Sequence, residues 1–396
     1  MSNIPKTGLS NLLEGWEEVK IGDIFSERNE KRNDPNLELL SVTLKDGVIK
    51  RSEINSKDNS SKDKSNYKLV KPGDIVYNSM RMWQGASGIS KYEGLVSPAY
   101  TVLSPKNTIS SHFFKYYFKT QKMLNKFKKY SQGLTSDTWN LKYPTISQIK
   151  IKSPLSKKQK EIENFITHFL SEIDTKITLM EKKHSLYVDI KKYLLKNLFV
   201  HGDEKSFLRF KRYNNILQRV SLSEILKESK IKSKDDMNKR ISVKLNLKGV
   251  VKRIPNTNEI EGATTQYLRK KGQFIYGKQN LYKGAFGIVP SNLDGYLSSN
   301  DIPSFDFIKP IDEMWLFYYL SDKDYYTKLE RLSTGTGSKR ISPENFLKIK
   351  INIPPIEEQK EISNMLKLLD YKIENIKKQI FLFSKFKKGL LQKMFC

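Results

Sequence analysis

Ile149–Ile162 reads IKIKSPLSKKQKEI and Ile349–Ile362 reads IKINIPPIEEQKEI, so one stretch of sequence occurs twice at an offset of 200 residues. Both copies hold a proline followed four or more residues later by the run Gln-Lys-Glu-Ile. Similarity at a fixed offset is the sign of a repeated structural unit. The chain is therefore interpreted as two similar halves.

Two further matches follow each copy at an offset of 196 residues. IDTKI (Ile173–Ile177) matches LDYKI (Leu369–Ile373), and KKYLLKNLF (Lys191–Phe199) matches KKGLLQKMF (Lys387–Phe395). Since the offset falls from 200 to 196, the first half holds four extra residues between the matches. Four residues are close to one helical turn, so the insertion lengthens a helix and keeps its apolar face.

A looser repeat lies upstream of each copy. In GDIVYNSMRMWQGASGI (Gly73–Ile89) and GQFIYGKQNLYKGAFGI (Gly272–Ile288), glycines and aromatic residues coincide while the polar residues between them differ. Short strand-like runs alternate with helical stretches, which predicts an α+β fold for each globular part. The predicted order is globular unit, helix, globular unit, helix, with boundaries at residues 1–153, 154–200, 201–353 and 354–396.

The two repeated segments predict long helices. The first is predicted to begin at Ser156, because Ser156 and Gln159 fit a capping box. The second is predicted to follow Pro355, with Glu357 and Glu358 in its first turn, where the helix dipole favours negative charge.

Apolar residues along both helices recur at alternating steps of three and four, which is typical of a coiled-coil seam. The predicted seam comprises Ile173, Ile177, Met180, Tyr187, Leu194, Leu369, Ile373, Ile376, Ile380 and Leu390, and the same spacing reaches Phe169, Ile190 and Phe386. We expect the helices to pair antiparallel with a pseudo-twofold relation. The alternative is that each helix packs on its own unit alone. His184 stands on this seam either as a register-setting group or as a tolerated, partly exposed residue.

The charge of the chain is +28 at pH 7, and it is distributed as +13 over residues 1–200 and +15 over residues 201–396. A membrane-targeting tail or a basic arm concentrates such an excess in one short block. Here the excess is spread through aromatic-rich sequence twice over, so a polyanionic partner of both halves is expected, and a membrane is not. Cys396 is the only cysteine, which suits a reducing, cytoplasmic location.

Two loops in each globular unit carry the side chains that could contact DNA. One loop combines Arg, Asn and Gln with aromatic residues, which suits base edges, and the other is rich in Gly, Ser and Thr, which suits phosphate. The second loop follows one predicted helix in each unit, Ser111–Tyr130 and Asp312–Leu332. The candidates are Asn78, Arg81, Trp83, Gln84, Gln132, Thr135 and Ser136 in the first half, and Lys278, Gln279, Asn280, Tyr282, Thr334, Thr336, Ser338, Lys339 and Arg340 in the second.

No catalytic pattern stands out. The sequence holds no G-x-x-x-x-G-K-[ST] loop, no G-x-G-x-x-G run and no zinc-like spacing of its histidines. Glu18 and Lys20 form a Glu-x-Lys triplet of the kind that metal-dependent nucleases use, but such triplets arise by chance in a chain rich in Lys and Glu. The interpretation is a non-catalytic binding protein without a metal. The alternative is a basic scaffold that binds RNA or an acidic protein.

The twice-occurring pattern resembles the specificity subunit (HsdS) family of type I restriction-modification systems, over essentially the whole chain. The residues that carry the likeness are Glu358–Ile362, Leu369–Ile373 and Lys387–Phe395. The first copy departs from the pattern at Lys158 and Leu198.

The resemblance implies that the globular units are two target recognition domains, each reading one half of a split double-stranded DNA sequence. It also implies that the helical regions set the spacer and dock two modification (methyltransferase) subunits. Restriction (endonuclease and translocase) subunits complete such complexes. The cofactors S-adenosylmethionine, ATP and magnesium are implied for those partner subunits, and none for this chain.

Overall fold

The computed structural model describes residues 15–54, 63–106, 110–153, 157–199, 201, 208–213, 217–255, 260–335 and 339–395. The chain divides into two compact units. Unit 1 comprises Met1–Met180 with Gln379–Cys396, and unit 2 comprises Glu181–Lys378. Each unit therefore contains part of both long helices.

Unit 1 is a mixed α+β structure. In chain order it contains β1 (Glu17–Lys20), α1 (Ile21–Ile24), β2 (Phe25–Glu27), β3 (Leu40–Thr43), β4 (Gly47–Lys50), β5 (Lys68–Val70), β6 (Ile75–Asn78), β7 (Ser87–Ile89), β8 (Gly94–Val96), β9 (Tyr100–Pro105), α2 (Ser111–Tyr117), α3 (Gln121–Tyr130), α4 (Tyr143–Ile146), β10 (Lys150–Ser153) and the start of α5 (Lys157–Leu198).

Unit 2 repeats this composition. In chain order it contains β11 (Gln218–Ser221), β12 (Leu226–Ser229), β13 (Lys232–Ser233), β14 (Ile241–Val243), β15 (Val250–Lys252), β16 (Gln266–Arg269), β17 (Phe274–Tyr276), β18 (Phe286–Ile288), β19 (Tyr296–Ser299), β20 (Ser304–Phe307), α6 (Glu313–Leu320), α7 (Lys323–Lys328), α8 (Pro343–Leu347), β21 (Lys350–Ile353) and the start of α9 (Ile356–Met394).

The two units share one strand topology. The four-stranded sheet has the order β2-β9-β6-β7 in unit 1 and β12-β20-β17-β18 in unit 2. The pairs β1-β10, β3-β4 and β5-β8 correspond to β11-β21, β14-β15 and the β16-β19 part of a three-stranded sheet. The repeat in the sequence is thus a repeat of the fold, and equivalent loops fall at equivalent places.

Side-chain alternation explains why these segments form strands. In β10 and β21, Ile151 and Ile351 are buried while Lys150 and Lys350 are exposed, which is the period of two that a strand imposes. In β6 the first three residues are all buried, including Tyr77. That pattern fits a strand with both faces covered, and it places a tyrosine deep beneath the loop that follows.

The prediction of one continuous helix before each polar loop is wrong, because the structure divides each of them into two helices. The predicted helix Ser111–Tyr130 is divided at Thr120, which caps the start of α3. The Thr120 hydroxyl accepts a hydrogen bond from the backbone N–H of Met123 (3.4 Å). The predicted helix Asp312–Leu332 is divided at Asp322, which caps the start of α7. The Asp322 carboxylate accepts a hydrogen bond from the backbone N–H of Asp324 (3.1 Å). Short polar side chains that bond to the backbone favour helix starts over helix interiors.

The long helices begin near the predicted places. Helix α9 starts directly after Pro355, with Glu357 and Glu358 in its first turn. Helix α5 starts at Lys157, and the predicted N-cap, Ser156, lies outside the described residues.

In unit 1 the end of α9 lies antiparallel to α5. Lys387 of α9 donates a hydrogen bond to Asp174 of α5, and the ammonium of Lys176 lies 4.6 Å from the ring centre of Phe383. The partner number falls along α9 as the position rises along α5, which defines the antiparallel direction.

In unit 2 the same contacts occur with the two helices exchanged. Lys191 of α5 donates to Asp370 of α9 (2.5 Å), and the ammonium of Lys372 lies 6.0 Å from the ring of Tyr187. Each of these residues is 196 positions from its counterpart in unit 1. The contacts inside each unit therefore carry the predicted pseudo-twofold relation.

A tyrosine completes each ion pair, and we call the two groups the Asp–Lys–Tyr clusters. In unit 1 the Tyr116 hydroxyl donates to Asp174 (2.9 Å), and the Lys387 ammonium lies 5.2 Å from the Tyr116 ring. Burial disfavours the charged Asp174 carboxylate, but the hydrogen bonds from Lys387 and Tyr116 outweigh it and hold its pKa below the ordinary value. In unit 2 Tyr318 donates to Asp370 in the same way (2.8 Å).

Most of the predicted seam is buried, but some positions at its predicted extension are exposed. The ten residues of the predicted seam are all buried or half-buried, as is His184. Phe169, Ile190 and Phe386 are 36%, 38% and 51% exposed, so extending the seam to them is wrong. Leu170, fully buried, takes the inward position beside Phe169, because this part of α5 packs into the core of unit 1 as well as facing α9.

Each core takes side chains from both long helices. In unit 1, Leu170 of α5 and Leu390 of α9 belong to one cluster, and Phe395 packs on the rings of Phe113 (5.6 Å) and Tyr117 (5.5 Å). Burying one such aromatic side chain stabilises a fold by about 1.5–3 kcal/mol. The alternative of two helices that each pack on their own unit alone does not hold.

In unit 2 the roles of the helices are reversed. Leu366 of α9 is fully buried in the same cluster as Leu195 and Leu198 of α5. The ring of Phe199, directly after α5, lies 6.0 Å from Trp315 and 5.6 Å from Tyr319. Within the described part of the chain, no helix is long and apolar enough to cross a membrane.

We predict that the unit 1 cluster stabilises the fold through a coupled pair. Asp174→Asn should lower the free energy of unfolding at pH 7 by about 1–3 kcal/mol, because a charge-assisted hydrogen bond is weakened. Lys387→Met should cost a similar amount, and the double variant should cost less than the sum, measured by urea unfolding of the full chain.

The pH dependence has a definite sign. Because the folded pKa of Asp174 is lowered, its contribution is present above the unfolded pKa of about 3.9 and is lost as the pH falls through the folded value. The difference between wild type and Asp174→Asn should therefore vanish in strong acid. Glu374→Gln, in the exposed pair with Lys377, is the control, and strictly additive effects of the two cluster substitutions would contradict the coupling.

Candidate nucleic-acid interface

The first candidate loop of unit 1 turns tightly after β6. Asn78 accepts a hydrogen bond from the backbone N–H two residues on (3.0 Å). The Trp83 ring packs edge-on against Trp139 of the second loop, with 5.2 Å between centroids. Arg81 and Gln84 are exposed. These two contacts help to hold the loop, and it presents a cation and an amide to solvent.

The equivalent loop of unit 2 carries different polar groups. Lys278, Asn280 and Tyr282 are half-buried and Gln279 is exposed. Burial lowers the pKa of Lys278, although the nearby Asp301 carboxylate favours its charged form.

The apolar frame of the two loops is the same. Met82 and Leu281 are completely buried and anchor a short 3₁₀ turn in each loop. Gly85 and Gly284 end the turns with φ of 87° and 73°, in the left-handed region that a side chain rarely adopts. The glycines and aromatic residues that the two sequences share therefore correspond to this common frame. The polar residues between them differ from one unit to the other.

The second candidate loop closes on itself in each unit. In unit 1, Gln132 and Asn140 exchange both backbone hydrogen bonds (3.0 and 2.8 Å), and Thr135 and Ser136 lie exposed at the tip.

The closure in unit 2 is the same, but its basic residues bind nearby acids. Thr334 and Arg340 exchange backbone hydrogen bonds of 2.9 and 3.0 Å. Lys339 donates to Glu330 (2.8 Å), and this hydrogen bond raises its pKa.

A buried tyrosine clamps the two loops together in unit 1. The backbone N–H of Leu141 donates to the carbonyl of Ser79 (2.8 Å), and the Tyr77 hydroxyl donates to the carbonyl of Leu141 (3.0 Å). Both backbone groups of Leu141 are thereby satisfied in the core, and the second loop is fixed against the first.

The same clamp recurs in unit 2. Ile341 donates its N–H to the carbonyl of Lys278 (2.9 Å), and the Tyr276 hydroxyl donates to the carbonyl of Ile341 (3.0 Å). The two loops occupy equivalent positions in the sequence repeat, and the structure brings them side by side within each unit.

A third loop, between β8 and β9 in unit 1 and between β19 and β20 in unit 2, joins them. In unit 1 the N–H of Ser79 donates to the carbonyl of Ala99 (3.1 Å), and in unit 2 the N–H of Lys278 donates to the carbonyl of Asp301 (2.9 Å). The Asp301 carboxylate accepts a hydrogen bond from Arg340 (3.1 Å). In the sequence, Ala99 and Asp301 lie between strands with no matching motif, so the signal was too weak to find them.

A basic side chain anchors each third loop from below. Lys68 donates to the carbonyl of Tyr100 (3.2 Å), and Arg269 donates to the carbonyl of Ile302 (3.0 Å). Arg269 is 1% exposed, and burial lowers its pKa to about 10, so it remains charged at neutral pH. The loops that carry the residues that differ between the units are therefore held in place by these hydrogen bonds.

Three corresponding positions hold different chemistry in the two units, and we call them the triads. The unit 1 triad is Ser79, Ala99 and Asn140, and the unit 2 triad is Lys278, Asp301 and Arg340. The first triad is uncharged and lines a cleft of about 450 Å³ that also contains Lys142. The Oδ1 atom of Asn140 is buried without a described hydrogen-bond partner. The second triad carries two cations and one anion.

Other sequence candidates fall outside this arrangement. Thr336 and Ser338 lie outside the described residues. Glu18 and Lys20, the nuclease-like pair, lie on β1, and the Lys20 ammonium donates to the side chain of Gln148 (2.9 Å). The described residues contain no group of three or more His, Cys, Asp or Glu side chains that could hold a metal ion.

We predict that the tyrosine clamp controls the mobility of the second loop. Tyr276→Phe should lower the free energy of unfolding by about 1–2 kcal/mol, because the Ile341 carbonyl loses its donor inside the core. Amide exchange of the Ile341 N–H should accelerate more than that of the sheet strands. Tyr130→Phe, at an exposed position, is the control, and unchanged exchange in Tyr276→Phe would contradict the clamp.

Comparison with known proteins places the chain in a family. Its sequence matches the type I restriction modification DNA specificity domain twice, over residues 13–185 and 218–381. It is 24% identical to the putative type I restriction enzyme MjaX specificity subunit of Methanocaldococcus jannaschii, over 98% of this chain and 95% of that protein. It is 39% identical over 101 residues to the MjaVIII specificity subunit of the same organism, over 26% of this chain and 23% of that protein.

Solved structures show the same fold. The S subunit of a type I restriction-modification system from M. genitalium aligns with a TM-score of 0.60 at 13% identity, over 100% of this chain and 98% of that one. A chain from a structural study of assembly and conformational transition of the type I R-M system aligns with a TM-score of 0.53 at 12% identity, over 96% and 98%. Since the family match covers most of the sequence in two copies, the chain belongs to the type I restriction modification DNA specificity family.

Proposed function

We propose that this chain supplies the DNA address of a type I restriction-modification complex. Unit 1 reads one half of a bipartite duplex target through residues of 1–153, and unit 2 reads the other half through residues of 201–353. The paired helical regions, 154–200 and 354–396, set the spacing between the half-sites. The chain itself performs no catalysis in this proposal.

The observation that carries the proposal is the pair of triads. Two units of equal topology hold three loops in the same hydrogen-bonded frame, yet the side chains at the corresponding triad positions differ. Selection for folding alone gives no reason for a neutral triad in one unit and a charged triad in the other. Two frames with different polar groups are suited to two different base sequences, and the overall charge of +28 supplies attraction to the phosphate backbone.

The long helices offer surface for partner subunits. Large apolar side chains on them are 57–68% exposed: Leu179, Leu186 and Tyr193 on α5, and Tyr371 and Phe381 on α9. Exposed apolar groups in such number mark interaction sites. We propose that they dock two modification subunits, which bring S-adenosylmethionine for adenine methylation, and that restriction subunits add ATP- and magnesium-dependent cleavage.

The competing function is a basic scaffold for RNA or an acidic protein. Competition binding separates the two, because a duplex reader binds specific DNA more tightly than RNA of equal length, with an affinity that falls steeply with salt. Preference for RNA, or for an acidic protein at equal concentration, would contradict the proposal.

We predict that the helix length sets the spacer. The four extra residues between Ile162 and Asp174 lengthen α5 by about 6 Å, which is close to two base pairs of about 3.4 Å each. Deleting one turn there should shorten the recognised spacer by one or two base pairs and leave both half-sites unchanged. Both Asp–Lys–Tyr clusters lie beyond the deletion, so the helix pairing at those clusters is retained.

The measurement is methylation mapping by long-read sequencing in a host that carries the modification subunits. The length-preserving control is Asn164→Ala with His168→Ala, two exposed positions in the same segment, which should keep the spacer. An unchanged spacer in the deletion variant would contradict the prediction that the helix length sets it.

We predict that the units read independently. Replacing residues 210–350 with the corresponding segment of another family member should change one half of the methylated sequence and leave the other half as it was. The retained tyrosine clamp and triad of unit 1 lie outside the exchanged segment, which is the physical reason. A methylation map in which both halves change would rule out independent reading.

A further inference from the structure

We propose that unit 2 reads a guanine through Arg340, and that Asp301 is the residue that positions Arg340 for it. The inference rests on the proposed DNA-recognition function and deepens it. It assigns a base to one half-site and a role to a residue that the sequence did not single out.

The backbone of Arg340 is fixed on both sides. It exchanges two hydrogen bonds with Thr334, and the next residue, Ile341, is held between Lys278 and Tyr276. A side chain that reads a base must start from a fixed point, because an error of about 1 Å in its origin removes the benefit of a directed hydrogen bond. Arg340 meets this requirement although it lies in a loop.

Among the residues that the structure describes, Asp301 is the one whose side chain bonds to the guanidinium of Arg340. Its Nη1 atom donates to Oδ1 of Asp301 (3.1 Å), and the two side chains are 47% and 54% exposed. Among the described residues, no acceptor pairs with its Nε or Nη2 atom. The remaining edge of the planar guanidinium therefore presents two parallel N–H groups to solvent, and guanine offers two matching acceptors, O6 and N7.

Asp301 is itself held in place. Its backbone carbonyl accepts the N–H of Lys278, and the carbonyl of the next residue, Ile302, accepts hydrogen bonds from the buried Arg269 (3.0 Å) and from the Ser298 hydroxyl (2.7 Å). The carboxylate is therefore a fixed reference for Arg340. Each of the three loops contributes one part: the base reader, its support and the adjoining cation Lys278.

The carboxylate favours a base edge over a phosphate as the ligand. A phosphate bound by Arg340 would lie beside the Asp301 anion and be repelled by it. A base edge carries no net charge, and the amino group of the cytosine paired with a guanine, or of a neighbouring cytosine, can donate to a carboxylate. Lys339 pairs with Glu330, and its ammonium has no planar fork that could bind O6 and N7 of a guanine together.

Unit 1 lacks the pair at the same positions. Ala99 stands where unit 2 has Asp301, and Asn140 stands where unit 2 has Arg340. An amide there cannot reproduce the double donor of a guanidinium, so the guanine is assigned to the half-site of unit 2 alone. The two units therefore provide a matched comparison within one chain.

The test uses the full chain assembled with its modification subunits. Methylation mapping first defines the target, and the exchange of residues 210–350 identifies the half read by unit 2. Binding is then measured on duplexes in which each G·C pair of that half is replaced in turn. We expect one position where wild type requires guanine, and where Arg340→Ala reduces discrimination against the replaced base by about 5- to 100-fold.

Two more variants separate positioning from charge and from folding. Arg340→Lys keeps the charge and removes the planar fork, so it should lose the same discrimination while its affinity for unrelated DNA stays within about twofold. Asp301→Ala removes the support, so it should lower discrimination at that position alone, while unrelated DNA binds as tightly as before or more tightly. Loss of a merely structural contact would not improve non-specific binding.

Two controls come from the chain itself. Glu344→Ala removes an acid from the exposed pair with Lys348 in the same unit, and it should leave the target unchanged. Asn140→Ala, at the position equivalent to Arg340, should leave the guanine requirement of the unit 2 half-site intact.

The outcomes that overturn the inference are distinct from failure of the proposed function. If Arg340→Ala weakens binding to all duplexes equally and lowers the slope of log Kd against log salt by about one charge, Arg340 contacts phosphate and the inference fails. A unit 2 half-site without guanine also overturns it. A wild-type complex that methylates no defined sequence contradicts the proposed function itself, and the inference with it.

Discussion

The reciprocal ion pairing of the two long helices is the constraint on which the rest of the structure depends. Asp174 of α5 binds Lys387 of α9, and Asp370 of α9 binds Lys191 of α5, each with a tyrosine of the same unit. An apolar stripe alone permits a helix pair to slide by a turn, whereas a half-buried ion pair tolerates only one register. Because a tyrosine of each globular part joins a cluster, the helix register also fixes where each sheet sits on its helices.

Within each unit, the atoms that hold the loops in place are different from the atoms that vary between the units. Backbone groups, a buried tyrosine and a basic anchor hold three loops in one frame, while the triad side chains on that frame differ between the units. Buried polar groups must be satisfied or the core pays a large penalty, so the clamp is preserved in both units although their triads are unlike. A scaffold of this kind can change what it reads without changing how it folds.

The sequence predicted the repeat, the helix starts and the two candidate loops, because these depend on glycines, aromatic residues and prolines whose effects are local. The sequence did not predict the features that depend on tertiary contacts. Thr120 and Asp322 break helices through side-chain caps that a period of 3.6 residues does not reveal, and Phe386 is exposed although its spacing fits the seam. Asp301 was missed because its role arises only when three loops meet.

The distribution of core residues along the chain has a consequence for synthesis. Unit 2 is contiguous, but the core of unit 1 includes Leu390, Met394 and Phe395, almost 200 positions beyond its own helix. At about 5–20 residues per second, a ribosome needs about 10–40 s to deliver them after residue 199. During that interval the apolar surface around Phe113 is uncovered, so the first unit to begin folding is the last to finish.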